Sequence, residues 1–261
     1  MTSDIAISPA PGSQPLDALL RDGFRDAVVV VVGGAGGIGA QVVEQAKSLG
    51  ARVVVASRST PSGETTPAGV RHACVDLTDA ASIRAFADWV GHELGRIDVL
   101  VNTAGVTRSV PLKAIELLDD ETIDVVMASN AGGVLKLIRD LAPWLRAGRE
   151  PCVVNVSSVA ARTGVGSNIA YVGAKAAMDA MTVSLAKALA PDIRLVNVAP
   201  SALETDFVKG RSREFVDRTI AATPQGRLAT TTEVANAILC AARLLTMTTG
   251  STIFVDGGRH L

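Results

Sequence analysis

The chain has 261 residues, 48% hydrophobic and 20% charged, and its 25 basic and 26 acidic residues leave a net charge of −1. So much apolar material with so little net charge excludes a disordered chain, and the balance gives no electrostatic reason to bind nucleic acid or an anionic membrane. Cys74, Cys152 and Cys240 are far apart, odd in number and set in apolar surroundings, which reads as free buried thiols in a reducing, cytoplasmic compartment, and His72, His92 and His260 lack metal-ligand spacing.

Residues 1–26 read as an N-terminal extension, partly disordered, whose first fifteen residues are rich in Pro, Ser and Gly. They lack the basic start and apolar core of a secretory signal. The uncharged stretch from Ala27 to Ala40 is glycine-rich and too short to span a membrane. Ala27 to Val32 is a continuous apolar run, the pattern of a strand buried on both faces. A glycine cluster and a helix over 37–49 follow, then strands over 52–56 and 70–75. Ala80, Ile83, Ala87, Val90 and Leu94 step by three and four and predict a helix over 79–94. A strand at 97–101 precedes one long helix over 119–146, with Pro143 as an interruption near its end. A strand at 153–156, a helix through Ala174 and Leu189, and a strand at 193–198 come next. Thr230 and Glu233 form a capping box for a helix to about 246, and Ile253 to Val255 closes the series as a short strand. Alternation of this kind implies a parallel sheet of about seven strands with helices on both faces, in a single domain over 27–261. In such sheets ligands bind beyond the carboxyl ends of the strands.

The segment Gly33-Gly34-Ala35-Gly36-Gly37-Ile38-Gly39 follows the first strand and opens the first long helix. Glycine permits positive φ and close approach of backbone to a pyrophosphate, and the helix N-terminus adds free N–H groups. Two registers fit: Gly34, Gly36 and Gly39, or Gly33, Gly37 and Gly39. The second strand ends in Ser57 and Arg58 where an NAD site places a carboxylate, so a 2′-phosphate contact, and hence NADP, is favoured, with NAD as the alternative.

The only tyrosine, Tyr171, lies four residues before Lys175 on one helix face. Lowering a phenol pKa by about three units takes about 4 kcal/mol of differential stabilisation, and an adjacent ammonium supplies part of it. The tyrosine then serves as a general acid or base while hydride moves. Ser158, just past the fifth strand, is placed to hydrogen-bond a substrate oxygen.

Together these motifs make the sequence resemble the short-chain dehydrogenase/reductase family, in its Tyr-x-x-x-Lys branch, over about residues 27–258. The resemblance implies a Rossmann-type doubly wound fold and a glycine motif on Gly33, Gly37 and Gly39, with Ile38 beside them. It also implies cofactor contacts from Asp76 and Leu77, from Asn102, Ala104 and Gly105, and from Pro200 and Thr205. Tyr171 and Lys175 would touch the cofactor too. Asn130 would hold a proton-relay water, and Asn130, Ser158, Tyr171 and Lys175 would be the catalytic set. Three departures stand out: Val32 for a threonine, Thr103 for a second asparagine and Ser201 for a glycine.

The implied activity is hydride transfer between NADP(H) and a small-molecule carbonyl or alcohol, by a homotetramer. Two alternatives are an NAD-dependent enzyme of the same family and a non-catalytic dinucleotide sensor. A divergent enoyl reductase would need a longer spacing from Tyr171 to Lys175. Residues 201–226 read as a lid in which Phe207 and Phe215 either line the pocket or pack a short helix. Its Lys209, Arg211, Arg213 and Arg218 suit either a phosphorylated or carrier-bound substrate or a solvated face. Two apolar stripes, Met178–Met181–Leu185 and Val234–Ile238–Ala241–Leu245, suit either subunit contacts or the chain's own sheet.

Overall fold

Five consecutive valines form β1 (Val28–Val32), and every one is buried. In the computed structural model, which describes residues 15–59, 69–203, 207 and 213–261, this strand stands third from one edge of a seven-stranded parallel sheet. β2 (Arg52–Ser57) and β3 (Arg71–Cys74) extend it on one side. β4 (Val99–Asn102), β5 (Cys152–Val156), β6 (Arg194–Pro200) and β7 (Ser251–Val255) extend it on the other, in the order β3-β2-β1-β4-β5-β6-β7.

Alternate side chains of β1 divide the core. Val29 and Val31 pack with α2 (Gly37–Ser48) and α9 (Thr231–Arg243), whereas Val30 and Val32 pack with α3 (Ala80–Glu93), α5 (Gly133–Arg146) and α7 (Ile169–Leu189). Both faces are therefore covered, as an all-parallel sheet requires. The chain order of the strands reverses between β1 and β4, and a ligand crevice is expected at their carboxyl ends.

Four local features differ from the sequence reading. Residues 15–26 do not lie outside the fold: α1 (Leu16–Phe24) precedes β1, and its Phe24 is fully buried beneath the Arg243 guanidinium, 5.7 Å from the ring centroid. Phe24 is the one buried residue of this helix, and Leu20 packs partly against the same core.

The long helix breaks elsewhere than at Pro143. α4 (Asp120–Met127) starts on the Asp119 cap, whose carboxylate accepts from Thr122 N, and widens into a π turn over Ala128–Gly132 before α5. The cause is Asn130: its side-chain amide donates to the Val126 carbonyl at 2.9 Å and takes a place normally held by a backbone N–H. Pro143 sits inside α5, which runs on to Arg146.

α8 (Arg213–Ala221) occupies part of the segment read as a lid, with a four-residue helix α6 (Ala160–Thr163) after β5. Finally, Met178, Val234, Ile238 and Ala241 are buried against the chain's own sheet, so most of the two apolar stripes cover no partner.

Candidate active site

At the carboxyl ends of β1, β2, β4, β5 and β6 lies a cleft of about 880 Å³, near the upper end of ordinary ligand pockets. The glycine loop forms its floor at one end. Gly33 and Gly37 adopt φ of +84° and +53°, in the left-handed region. A β-carbon on Gly33 would sit 2.6 Å from Ala104 N, and one on Gly39 would sit 2.3 Å from the Gly33 carbonyl oxygen. Gly36 by contrast is extended and has open space around it. The positions where the backbone requires glycine are therefore 33, 37 and 39.

The loop is braced from β4. Thr103 N, Ala104 N and the Thr103 hydroxyl all donate to the Val32 carbonyl, at 2.9, 2.9 and 2.8 Å. Thr103 thus provides a hydroxyl tie to the end of β1, where Val32 has none to offer.

Ser57 and Arg58 line the cleft at the end of β2, with Arg58 exposed. Next to them Asp76 accepts from both the hydroxyl and the N–H of Thr78, which hold its carboxyl below the usual range. Leu77, Ala104, Gly105 and Pro200 also line the cleft. Thr205 lies outside the described residues. Asn102 does not reach the cleft: it is buried in the sheet and its amide donates to Asn155 at 2.7 Å. Ser201 lines the cleft with a buried hydroxyl that has no partner among the described residues.

Ser158, Tyr171 and Lys175 all line this cleft. Asn168 caps α7 by accepting from Tyr171 N at 2.7 Å, and its own amide is fixed by the Arg108 carbonyl. The active-site helix is thereby locked at its first turn. Lys175 is buried, donates to the Val156 carbonyl at 2.7 Å, and holds Nζ 5.7 Å from the Tyr171 ring centroid. Burial pushes the Lys175 ammonium down to about 8, against an upward pull from Asp179 one turn along the helix. Ser158 accepts from Ala160 N at 3.1 Å. Phe207 tilts over Tyr171 with ring centroids 6.0 Å apart, and Phe215 lines the same cleft from α8.

Asn130 lies beneath the cleft wall without lining it. Its amide donates to Val106 O at 2.8 Å as well as to Val126 O, while its buried Oδ1 has no partner among the described residues and sits 2.5 Å from where Gly105 would carry a β-carbon. Only glycine fits at 105.

A buried polar chain was missed in the sequence. Asn102, Asn155, Asn197 and Thr252 stand level on β4, β5, β6 and β7. Thr182 donates to Asn197 Oδ1 at 2.8 Å and accepts from Asn155, and Asn197 donates to Asp179 at 2.8 Å. The signal was present: VLVN, CVVNV and RLVNV each set an asparagine in an otherwise apolar run. Among the described residues, no group of three His, Cys, Asp or Glu could hold a metal, and no helix is long and apolar enough to cross a membrane.

The glycine cradle, the open space at Gly36 and the N-terminus of α2 together fit a dinucleotide pyrophosphate. Comparison with known proteins agrees. The family model described as Enoyl-(Acyl carrier protein) reductase matches residues 33–260. The 3-oxoacyl-[acyl-carrier-protein] reductase FabG of Escherichia coli (strain K12) is 30% identical over 244 residues, covering 91% of this chain and 99% of the relative. Among solved structures, the Pseudomonas aeruginosa RhlG/NADP active-site complex has a TM-score of 0.83 at 28% identity, covering 92% of this chain and 99% of the other. A Leptospira borgpetersenii short-chain dehydrogenase with bound NAD+ has a TM-score of 0.84 at 25% identity, covering 92% and 95%. With the Rossmann-type sheet, the glycine cradle and these likenesses in agreement, the chain is an oxidoreductase of the short-chain dehydrogenase/reductase family.

Proposed function

We propose that this chain interconverts a carbonyl and an alcohol with NADP(H), and that 3-oxoacyl thioesters are its favoured substrates. The observation that carries the reading is the pairing of Tyr171 with a fully buried Lys175 in the cleft that also holds Ser158. A buried ammonium beside a phenol favours the phenolate and leaves Tyr171 able to deliver or accept a proton near neutral pH. Ser158 donates a hydrogen bond to the substrate oxygen as negative charge grows there. Lys175 also holds the cofactor ribose, and Asn130, through the widened turn it creates, supports a proton relay toward Lys175. Gly33, Gly37, Ile38 and Gly39 seat the pyrophosphate, and Ser57 with Arg58 receives the 2′-phosphate. The dinucleotide supplies the hydride.

The likeness to FabG supports the substrate class, and the likeness to RhlG/NADP supports the cofactor. An NAD-dependent enzyme is the second reading, supported by the NAD+-bound neighbour. A dinucleotide sensor without activity is disfavoured, because Ser158, Tyr171 and Lys175 all line one cleft. Carbonyl reduction is preferred to enoyl reduction on the four-residue step from Tyr171 to Lys175. All three thiols are free, though of the expected buried set only Cys152 is buried, while Cys74 is exposed and Cys240 half-buried; free thiols support a reducing, cytoplasmic setting.

The test is a panel of 3-oxoacyl thioesters, simple ketones and sugar alcohols, each assayed with both cofactors by absorbance of the reduced nicotinamide. Turnover of a 3-oxoacyl thioester with NADPH is expected, and a panel without turnover overturns the reading. For assembly, exposed Val125, Met127 and Leu135 near the α4–α5 junction and Ile169 and Val183 on α7 support a homotetramer. Light scattering should give about four times the 26.8 kDa chain mass, and a fully active monomer overturns it.

A further inference from the structure

The cleft has two ends of different character. At the glycine-loop end, Arg58 and the N-terminus of α2 serve the phosphates of a dinucleotide. Beyond Tyr171 the wall is built by Phe207, by Phe215, Arg218 and Thr219 on one face of α8, and by Arg259 from the chain's C-terminal turn. Two guanidinium groups line this end, and no described residue that lines it carries a carboxylate. Among the described residues, the one acidic side chain that lines the cleft is Asp76, which lies beside Arg58 and is occupied by Thr78.

Arg259 is held in place by its surroundings. Gly257 and Gly258 take φ of +65° and +87°, and Asp256 accepts from Gly258 N, His260 N and the His260 ring. Asp256 is thus committed to the turn and leaves the guanidinium alone. The head group of Arg259 donates to the Thr219 carbonyl at 3.3 Å, which fixes it against α8 with a neutral acceptor and occupies one of its five donors. Arg218 has a loose contact of 3.8 Å with the exposed Glu214. A half-buried, pre-positioned guanidinium that faces a cleft and has no ion-pair partner among the described residues is suited to a planar or tetrahedral oxyanion, which it grips with paired hydrogen bonds. The dinucleotide does not meet this need, because its phosphates are provided for at the other end.

We propose that Arg259, assisted by Arg218, forms a subsite for an anionic group on the substrate, a carboxylate or phosphate, at a distance from the reacting carbonyl. The proposal rests on the reading of Tyr171 as the reducing centre, and names what the substrate carries beyond the carbonyl. Phe207 and Phe215 then line the apolar path between the two points.

Three 3-oxobutanoyl thioesters test it: of N-acetylcysteamine, which is neutral; of 3-mercaptopropionate, which carries a carboxylate; and of 4′-phosphopantetheine, which carries a phosphate. The parent protein should show kcat/KM at least roughly tenfold higher for one of the charged thioesters, mainly through KM. Arg259→Gln should remove most of that ratio, and Arg218→Gln a smaller part. Whichever charged thioester is preferred identifies the anion. Dinucleotide affinity of each variant reports that it is folded. Free phosphopantetheine and free 3-mercaptopropionate, titrated calorimetrically into the cofactor-loaded protein, read the subsite without turnover, and at least one should bind in an Arg259-dependent way. Equal efficiency on all three thioesters, a ratio retained by Arg259→Gln, or no calorimetric binding of either free anion overturns the subsite. Failure to turn over any of the three, with an anion still bound through Arg259, overturns the carbonyl-reductase reading and leaves the subsite standing.

Discussion

Replacing Gly33 with alanine tests whether the glycine loop works as described. The β-carbon would lie 2.6 Å from Ala104 N, 2.7 Å from Ala104 Cα and 2.8 Å from the Thr103 hydroxyl. Those atoms cannot retreat freely, because Thr103 N and Ala104 N are both bonded to the Val32 carbonyl at 2.9 Å. The φ of +84° adds a left-handed penalty of about 1–2 kcal/mol for a residue with a side chain. Forcing a methyl into packed backbone adds about 1–3 kcal/mol. The total, about 2–5 kcal/mol, corresponds to a fall of about 4–20 °C in Tm for a domain of this size. Gly36→Ala is the control. Gly36 is extended, with nothing within 4 Å of the added carbon, so the cost is that of a poorer helix cap, less than about 1 kcal/mol. Its methyl would, however, enter the space where the pyrophosphate is proposed to sit. Thermal melting by circular dichroism and dinucleotide titration by calorimetry should therefore separate the two variants: Gly33→Ala loses stability and affinity, and Gly36→Ala loses affinity with only a small fall in melting temperature. A Gly33→Ala protein that melts with the parent, or a Gly36→Ala protein that melts lower than Gly33→Ala, would refute the reasoning.

Three further outcomes are expected. Tyr171→Phe keeps the ring and removes the proton donor, so turnover should drop at least roughly a hundredfold while cofactor binding persists; near-normal turnover would sink the assignment. The parent should prefer NADPH to NADH in kcat/KM, and Arg58→Ala should erase most of that preference, since a charge-assisted phosphate contact contributes on the order of 1.5–3 kcal/mol; a parent that prefers NADH contradicts this reading of Arg58. Asp179→Asn removes the charge that opposes the burial-driven depression of Lys175, whose pKa is pushed down to about 8. Lys175 would then lose its proton at lower pH, so the alkaline limb of kcat/KM should move downward; a limb that stays in place or moves upward rules out this coupling.

The sheet was legible because strands buried on both faces read as unbroken apolar runs: β1, β2, β4, β5 and β6 lie within one or two residues of their expected bounds. Tyr171, Lys175 and Ser158 were legible because their spacing is local. What was hidden depended on contacts between distant residues. The π turn arises from one side chain, Asn130, bonding to Val126 and Val106, and no periodicity announces it. α1 is anchored through Phe24 against a helix more than two hundred residues away. Asn102 was assigned to the cofactor on resemblance, whereas its amide is engaged by Asn155 on the next strand. The apolar stripes could face the sheet or a partner, and only packing distinguishes the two.

The asparagine row has a consequence for how the chain finds one fold. A strand such as VVVVV packs about equally well against its neighbour after sliding by two residues, since one valine replaces another on the same face. Asn102, Asn155 and Asn197 remove that freedom. The amide N–H groups of Asn102 and Asn155 each donate to the next asparagine's oxygen only when the strands stand level, and any slip would leave those donors buried without partners at about 1–3 kcal/mol each. The row works as a notch in an otherwise uniform stack, making the correct alignment the one that closes. Because Thr103, Ser157 and Ser158 follow directly after two of these strands, the notch also determines the depth at which the cleft floor begins.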